Sequence, residues 1–513
     1  MLTLTRPRWQ PLIHRLTALL LGASLVFSYA PFNQAWLTIP VLVLLLALTR
    51  RSSPRQAAQT GYFFGFGWFS AGLSWIYVSI DSFGGLHPIL SVAVLIVLFL
   101  YLSLFPALAL WLWRRSSRWF ADAAIWLLPL IWLGTESLRG WLLTGFPWLE
   151  LGYTQTDSAL GNYAPWLGGA GITLVMLMVS ITLIRWLQTR KAYFLVVAAA
   201  PLLLTFVLPL LSPLERTGES ARVLLVQGNI SQSVKWNPDQ HWPTLMRYLN
   251  LSRPYYEQHD IIVWPESAVT MPEPFTDDVL SDMHEHAAAT ETALITGIID
   301  YQNDNYYNSL IVLGQDAEDQ VEQPYHHGHG NRYRKHHLLP IGEFVPFEDF
   351  IRPLAPLFDL PMSSFSRGSF RQPNLNARGF RLNAAICYEI LFPAQVRANL
   401  QQDTDFILTV SNDTWFGRSH GPAQHMQIAR MRALELGRPL IRATNSGISA
   451  LVDERGQQVQ TAPQFTAATL SADLAVVNGT TGFSRWGSSL NWLLAIFLGF
   501  IPIFSMVKRR QNK

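Results

Sequence analysis

Apolar and polar positions are distributed unevenly along this chain. Residues 1 to about 211 are dominated by apolar runs, and a last run, Leu490 to Val507, ends in Lys508-Arg509-Arg510. Runs near 12–30, 35–49, 58–80, 88–113, 122–138, 166–186, 192–211 and 489–507 predict eight transmembrane helices. Each approaches the ~20 apolar residues that cross a bilayer core, although the second is short. Between the seventh and eighth runs the pattern changes. Short Val/Ile/Leu-rich stretches bounded by Gly, Pro, Asn and Asp predict buried strands at Arg222–Ile230, Asp260–Trp264, Ala293–Ile299, Ser309–Leu313, Leu382–Ile386 and Phe406–Val410. Polar, helix-like segments lie between them, among them Pro422–Leu436, with Gly437 placed to cap it. The pattern therefore predicts a membrane domain of seven helices over 1–211 and an α/β layered domain over 212–485. A final helix and basic tail follow over 486–513. At about 270 residues the insert is long enough to bury its own core.

Charge sets the expected orientation. Only 14% of residues are charged, against roughly 25% in soluble proteins. Arg6 and Arg8 precede the first run. Arg50, Arg51 and Arg55 follow the second, Arg114, Arg115 and Arg118 the fourth, Arg185, Arg190 and Lys191 the sixth, and Lys508 to Lys513 the last. Every second connection is basic, which places both termini in the cytoplasm and the 212–485 domain on the extracytoplasmic side. Ser28-Tyr29-Ala30 has the small-x-small form of a signal-peptidase site, but the adjacent Pro31 argues against cleavage, so the first span is read as retained. Charges inside the spans are few. His14 and Arg15 sit near a span start, and Glu136 and Arg139 read as an interfacial pair. With no paired broken helices and no internal repeat, the spans themselves do not read as a transporter. No basic patch interleaved with aromatics points to nucleic acid, and a single cysteine excludes an intramolecular disulfide.

Reactive side chains stand where predicted strands end. DIIVW runs into Pro265-Glu266-Ser267. A basic segment, Asn331 to His336, carries Lys335. LNAAI runs into Cys387-Tyr388-Glu389. A thiol is a weak nucleophile until deprotonated. A nearby ammonium favours the thiolate, and a carboxylate in reach can take and return the proton. The same ammonium, with the N–H following the nucleophile, can stabilise an oxyanion. Glu, Lys and Cys thus suffice for acyl transfer through a thioester. Each has a plainer reading: a small buried hydrophobe for Cys387, a turn cap for Glu266, one charge in a basic run for Lys335. A Cys–His pair using His425 or His336 as base stays open.

Taken together, Val263-Trp264-Pro265-Glu266-Ser267, Lys335 and Ile386-Cys387-Tyr388-Glu389 resemble the Glu–Lys–Cys set of the nitrilase (carbon–nitrogen hydrolase) superfamily. With the added spans the whole chain resembles the apolipoprotein N-acyltransferase family of Gram-negative inner membranes. Gly145-Phe146-Pro147-Trp148, Ser411 to Gly417, Arg430 to Glu435 and Thr444-Asn445-Ser446-Gly447 match its pattern. The resemblance implies an αββα catalytic domain in the periplasm and no cofactor. It implies Cys387 as the acyl carrier, Glu266 as general base and Lys335 as oxyanion stabiliser, with Trp236, Glu343, Tyr388, Glu389, Asn412, Trp415 and Trp148 in supporting or substrate-binding places. The implied donor is a phospholipid, typically phosphatidylethanolamine, giving its sn-1 chain. The implied acceptor is the α-amine of the diacylglyceryl-cysteine of an apolipoprotein. A membrane-tethered amidase or nitrilase would use the same three residues with water as acceptor. Trp141, Phe146, Trp148 and Tyr153 read either as an interfacial aromatic belt or as acyl-chain contacts. The family pattern does not extend to Gln315–Arg332, which holds His326-His327-Gly328-His329. A solvated loop is expected there rather than a metal site, because no acidic or cysteine ligand lies at fitting spacing. Glu343-Phe344-Val345-Pro346 and Phe358 to Arg367 are lid candidates by position.

Overall fold

The structure is a computed structural model and describes residues 10–83, 85, 87–315, 324–340, 342–344 and 364–511. Residues 345–363, which hold half of the first lid candidate and most of the second, and the tail arginines Arg6 and Arg8 lie outside it. The chain divides into two compact units. One gathers the described residues of 1–77, 87–212 and 485–513, the other those of 78–86 and 213–484.

The first unit is helical. Four apolar runs are long enough to cross a bilayer: Pro11–Ser28, Pro88–Arg139, Ala159–Thr189 and Ser489–Val507. A fifth is a bent pair, Pro54–Gly72 and Ile76–Ser82, at 59°. The straight span expected at 58–80 is thus broken, because the helix ends at Gly72 and restarts only at Ile76. Residues 78–86 then group with the second unit, where Ser79 Oγ donates to the Trp415 carbonyl at 2.7 Å. The run expected at 192–211 is helical only over Tyr193–Leu204. Pro201 and Pro209 each withhold an N–H, and the chain resumes as a short tight turn at Leu208–Leu211. The first helix is packed into its unit: a Cβ on Gly22 would overlap the Phe64 carbonyl, and one on Gly67 the Leu19 carbonyl. Small residues let two helix backbones touch where lipid supplies no hydrophobic driving force. Glu136 and Arg139 do not form the expected interfacial pair. Both are buried, and Arg139 Nη1 donates to the carbonyls of Phe146 (2.8 Å) and Trp148 (2.5 Å).

The second unit stacks two six-stranded sheets. In chain order the strands are β1 Glu215–Gln227, β2 Ile261–Val263, β3 Ala293–Gln302, β4 Asn305–Leu313, β5 Arg332–Arg334, β6 Leu375–Ala377, β7 Phe380–Ile386, β8 Phe406–Ser411, β9 Leu440–Thr444, β10 Ala450–Val452, β11 Gln458–Thr461 and β12 Ala468–Asn478. The sheet orders are β12-β1-β2-β3-β4-β5 and β11-β10-β9-β8-β7-β6. Each has a parallel centre, β1-β2-β3 or β7-β8-β9, and antiparallel flanks. Alternate residues fill the space between the sheets: Val223 and Leu225, Ile261 and Val263, Leu382, Ala384 and Ile386, Leu408 and Val410. The intervening residues of the first sheet, Leu224, Ile262 and Leu294, pack outward beneath the helices Pro238–Ser252 and Asp277–Ala289. Both faces of a parallel sheet are therefore covered, as its apolar strands require. Truncating Ile295 or Leu408 to Ala would cost about 2–5 kcal/mol. The expected helix is present as Gly421–Leu436. Gly437 caps it at φ 63°, and its N–H reaches the Ala433 carbonyl.

Candidate active site

The predicted residues converge at the ends of strands from both sheets. Glu266 leaves β2 in a loop that lies directly on β3. Trp264 N–H donates to Ile295 O (2.8 Å) and Val269 N–H to Gly297 O (3.1 Å). Position 297 must be glycine, since a Cβ there would stand 2.8 Å from Glu266 Cα. Lys335 leaves β5, with its N–H on Asn308 O at 2.8 Å. Its buried Nζ is 2.8 Å from Glu343 Oε1 and 3.4 Å from Glu266 Oε1. Asn308, reaching in from β4, bridges the same two carboxylates, its Nδ2 donating to each at 2.8 Å. Asn412 N–H, past the end of β8, donates to Glu266 Oε2 at 3.0 Å. The Glu266 carboxylate is thus held from both sheets.

Cys387 sits where β7 turns into the tight helix Cys387–Leu391, half-buried, with φ at +53°. A non-glycine residue held left-handed between strand and helix is strained, and such strain persists only where the surroundings fix it. Here His425 Nε2 lies 3.1 Å from the Cys387 carbonyl, and His425 Nδ1 lies 3.0 Å from Asp413 Oδ1. Ser411 Oγ is 3.4 Å from Sγ and 2.6 Å from Asp413 Oδ1. The Ser411 hydroxyl thus faces two acceptors, the Asp413 carboxylate at the shorter distance and the Cys387 sulfur at the longer. His425 therefore holds the Cys387 main chain. The other candidate base, His336, has Nδ1 on Gly368 O at 2.7 Å. Each imidazole thus has a main-chain carbonyl as a partner.

Electrostatics define the resting state. Burial, and then the Glu266 carboxylate, push the Cys387 thiol up to about 12, against the pull of Lys335 and Ser411. Burial opposes charge on Lys335, but Glu343, Glu266 and the cysteine outweigh it and hold the ammonium above its ordinary value. The thiol therefore rests protonated beside a permanent cation. Attack requires a base to remove the proton as the bond forms, not a standing thiolate.

A model of the carbon–nitrogen hydrolase family matches residues 222–480, and one of the apolipoprotein N-acyltransferase N-terminal domain matches residues 21–182. The apolipoprotein N-acyltransferase of Shewanella oneidensis is 45% identical over 507 residues, covering 97% of this chain and 96% of its own. That of Vibrio vulnificus is 43% identical over 520 residues, covering 98% and 99%. The chain belongs to the apolipoprotein N-acyltransferase family. Among solved structures, a carbon–nitrogen hydrolase superfamily protein from Xanthomonas campestris is 18% identical, covers 50% of this chain and 90% of its own, and has a TM-score of 0.36.

The remaining residues singled out by that family's pattern have different surroundings. Glu389 is wholly buried and accepts five hydrogen bonds: from Ile386 N–H (2.8 Å), Tyr333 Oη (3.0 Å), His336 N–H (2.7 Å), His337 N–H (3.0 Å) and Gln395 Nε2 (2.6 Å). It straps the Lys335 segment to the Cys387 turn, so its place is mechanical. Tyr388 is buried, with His337 and Phe392 rings beside it. Trp236 is half-buried, its ring 5.4 Å from the Lys235 ammonium. Asn412 Nδ2 donates to Gln232 at 2.7 Å, and Trp415 is partly exposed. Trp148 belongs to the helical unit, buried against Trp75 and Phe146. Tyr153 is buried too, Phe146 is half-buried and Trp141 is exposed.

Three contributors were not anticipated. Asn308 is a polar residue at the head of an apolar strand, a signal that was present in the sequence. Lys235, the residue before Trp236, is buried, with Nζ on Glu266 O at 3.0 Å. Burial pulls it down to about 8, against the opposing influence of Glu266 and Cys387. Arg442 donates to Asp413 Oδ2 at 2.9 Å from within β9, a strand not predicted. The solvated loop expected at the histidines is found only in part. His326 is exposed, but His329 is buried, and residues 316–323 lie outside the described part.

Proposed function

We propose that this chain transfers the sn-1 acyl chain of a phospholipid, through a Cys387 thioester, to the α-amine of a diacylglyceryl-cysteine at the N-terminus of an apolipoprotein. One observation carries the reading. In a chain collinear with named apolipoprotein N-acyltransferases over 97% of its length, one buried ammonium joins Glu266 and Glu343 beside a lone cysteine strained at a strand end. Glu266 takes the thiol proton as sulfur attacks the ester carbonyl. Lys335 Nζ and the Tyr388 N–H face the oxyanion, and the proton returns to the departing lysophospholipid oxygen. In the second half the amine attacks the thioester, Glu266 takes a proton from nitrogen, and the carbon–sulfur bond breaks as that proton passes to the departing sulfur, restoring the thiol. Ester to thioester is near balance, and thioester to amide runs downhill. Asn308 and Asn412 hold the Glu266 carboxylate for both halves. No step calls for a cofactor.

Eight spans and a periplasmic catalytic domain fit this chemistry. Dividing the 52-residue run Pro88–Arg139 at Ala121, where φ turns to +49°, and counting the bent pair and the two shorter apolar helices, gives eight. The alternating basic connections support both termini in the cytoplasm.

The test is the intact mass of purified protein mixed with phosphatidylethanolamine, beside Cys387→Ala. The expected result is a gain of one acyl chain, absent from the variant and discharged by a lipopeptide with a free amine. Free fatty acid without a dischargeable adduct would favour the amidase-like alternative.

A further inference from the structure

His327 stands in the segment before β5, facing two carboxylates from distant parts of the chain. Glu273 opens the short turn Glu273–Phe275 beyond the Glu266 loop, and Asp300 lies in β3. Both are wholly buried. His327 Nε2 is 3.9 Å from Glu273 Oε2 and 3.9 Å from Asp300 Oδ1, and the three atoms lie within 4.8 Å of one another. Asp300 Oδ1 and His327 Nε2 are buried with no hydrogen-bond partner. A buried carboxylate oxygen normally finds a donor, so an orphaned one aimed at an orphaned imidazole nitrogen calls for a third party between them.

The surroundings are built to hold this set still. Arg332 Nη1 lies 2.9 Å from Glu273 Oε2 and 3.1 Å from Asp300 Oδ2, and Arg334 Nε lies 2.6 Å from Asp300 Oδ2. Tyr325 Oη and Gly328 N–H donate to Glu273 Oε1. Ligating carboxylates are commonly oriented by such outer partners. The arginines offset the charge of the two carboxylates, and Arg332 also donates to Glu273 Oε2, one of the three proposed ligand atoms, while Asp300 Oδ1 stays directed at the histidine. Their cost is a weaker site, not a blocked one.

We propose that Glu273, Asp300 and His327 bind a divalent transition-metal ion, with Zn²⁺ the first candidate. One imidazole and two carboxylates form a mixed N/O set suited to zinc, and a fourth position can be taken by water. A tetrahedral ion at about 2.1 Å from each ligand requires ligand separations of roughly 3.4 Å. The His327 side chain, 28% exposed on a connecting segment, has room to shorten its own two 3.9 Å separations. The ion ties the chain beyond Glu266, strand β3 and the approach to Lys335 into one piece. The sequence concealed it because its acidic members lie 54 and 27 residues before His327.

The experiment uses full-length, tag-free protein in detergent, stripped with EDTA and titrated with ZnCl₂ beside His327→Ala and Asp300→Asn. The readouts are calorimetric stoichiometry and thermal unfolding. Wild type should take up one more Zn²⁺ per chain than either variant and melt a few degrees higher with zinc. His327→Ala should melt like wild type without metal and gain nothing from zinc. Equal zinc uptake and equal shifts in wild type and His327→Ala would overturn the site and assign the binding to surface histidines. No uptake by wild type would overturn it as well, leaving an imidazolium as the partner of the two carboxylates.

Discussion

Two clusters of carboxylate and cation flank Cys387, and they are made of similar parts. On one side Lys335 is shared between Glu266 and Glu343 at 3.4 and 2.8 Å. On the other Asp413 takes Ser411 (2.6 Å), His425 (3.0 Å) and Arg442 (2.9 Å). Their electrostatics differ. Burial alone would raise Asp413, but Arg442 and His425 hold it well below the usual carboxylate range. His425 is itself kept below its ordinary value by burial and by Arg442. The Asp413 cluster is saturated and cannot take a proton. The Lys335 cluster sets two carboxylates against one directly paired ammonium, Lys235 bonding only the Glu266 main-chain carbonyl, so a carboxylate charge remains for the thiol proton to meet. Near a nucleophile, the surplus or deficit of charge separates a group that exchanges protons from one that holds a main chain in place.

The largest effect that tests this contrast is expected from Lys335→Met and Glu266→Gln. Each should slow thioester formation by ~10³-fold in a mass-resolved single-turnover assay. His425→Gln removes a positioning contact only, and about a tenfold loss is expected, with the pH dependence of acylation unchanged. If it is as inert as Lys335→Met, the two clusters have been assigned the wrong way round and the Cys–His reading returns. Thiol labelling sharpens the same point. With the thiol near 12, alkylation by iodoacetamide should rise about tenfold per pH unit from 7 to 10 without a plateau. Glu266→Gln should speed labelling at pH 8, because the carboxylate it removes disfavours the thiolate.

The smallest effect concerns Lys235. Its folded value of about 8 lies below the ordinary 10.5. The folded chain therefore sheds this proton before the unfolded chain does, and stability rises with pH between those values. Melting curves should show Lys235→Met at its greatest advantage over wild type below pH 8, with the difference shrinking as pH climbs toward 10.5.

Much of this site was legible because Glu266 and Cys387 stand just after strong apolar runs, and Lys335 sits in a basic segment that matches the family pattern. DIIVW, the strand before Lys335 and LNAAI each hand a reactive group to the same end of the sandwich. Legibility failed where partners are remote or polar. β9 and β12 carry Arg442 and close the first sheet, yet LIRAT and ATLSADLAVVN read as mixed sequence. The role of Glu389 depends on donors from Tyr333 to Gln395, which only the fold brings to one carboxylate. In the helical unit, hydropathy found the runs but not their ends. Gly72, Pro201 and Pro209 set those through backbone geometry that an average over apolar residues does not register.

The pairing of the first and last strands bears on gene architecture. Glu215, at the start of β1, is paired with Asn478, at the end of β12. The catalytic unit's entry and exit are thus neighbours, about 5 Å apart at Cα. A domain whose two ends meet can be spliced into a host polypeptide without prising the host apart. A soluble hydrolase fold placed before the final helix of a membrane protein asks of that protein only a single opening in one loop.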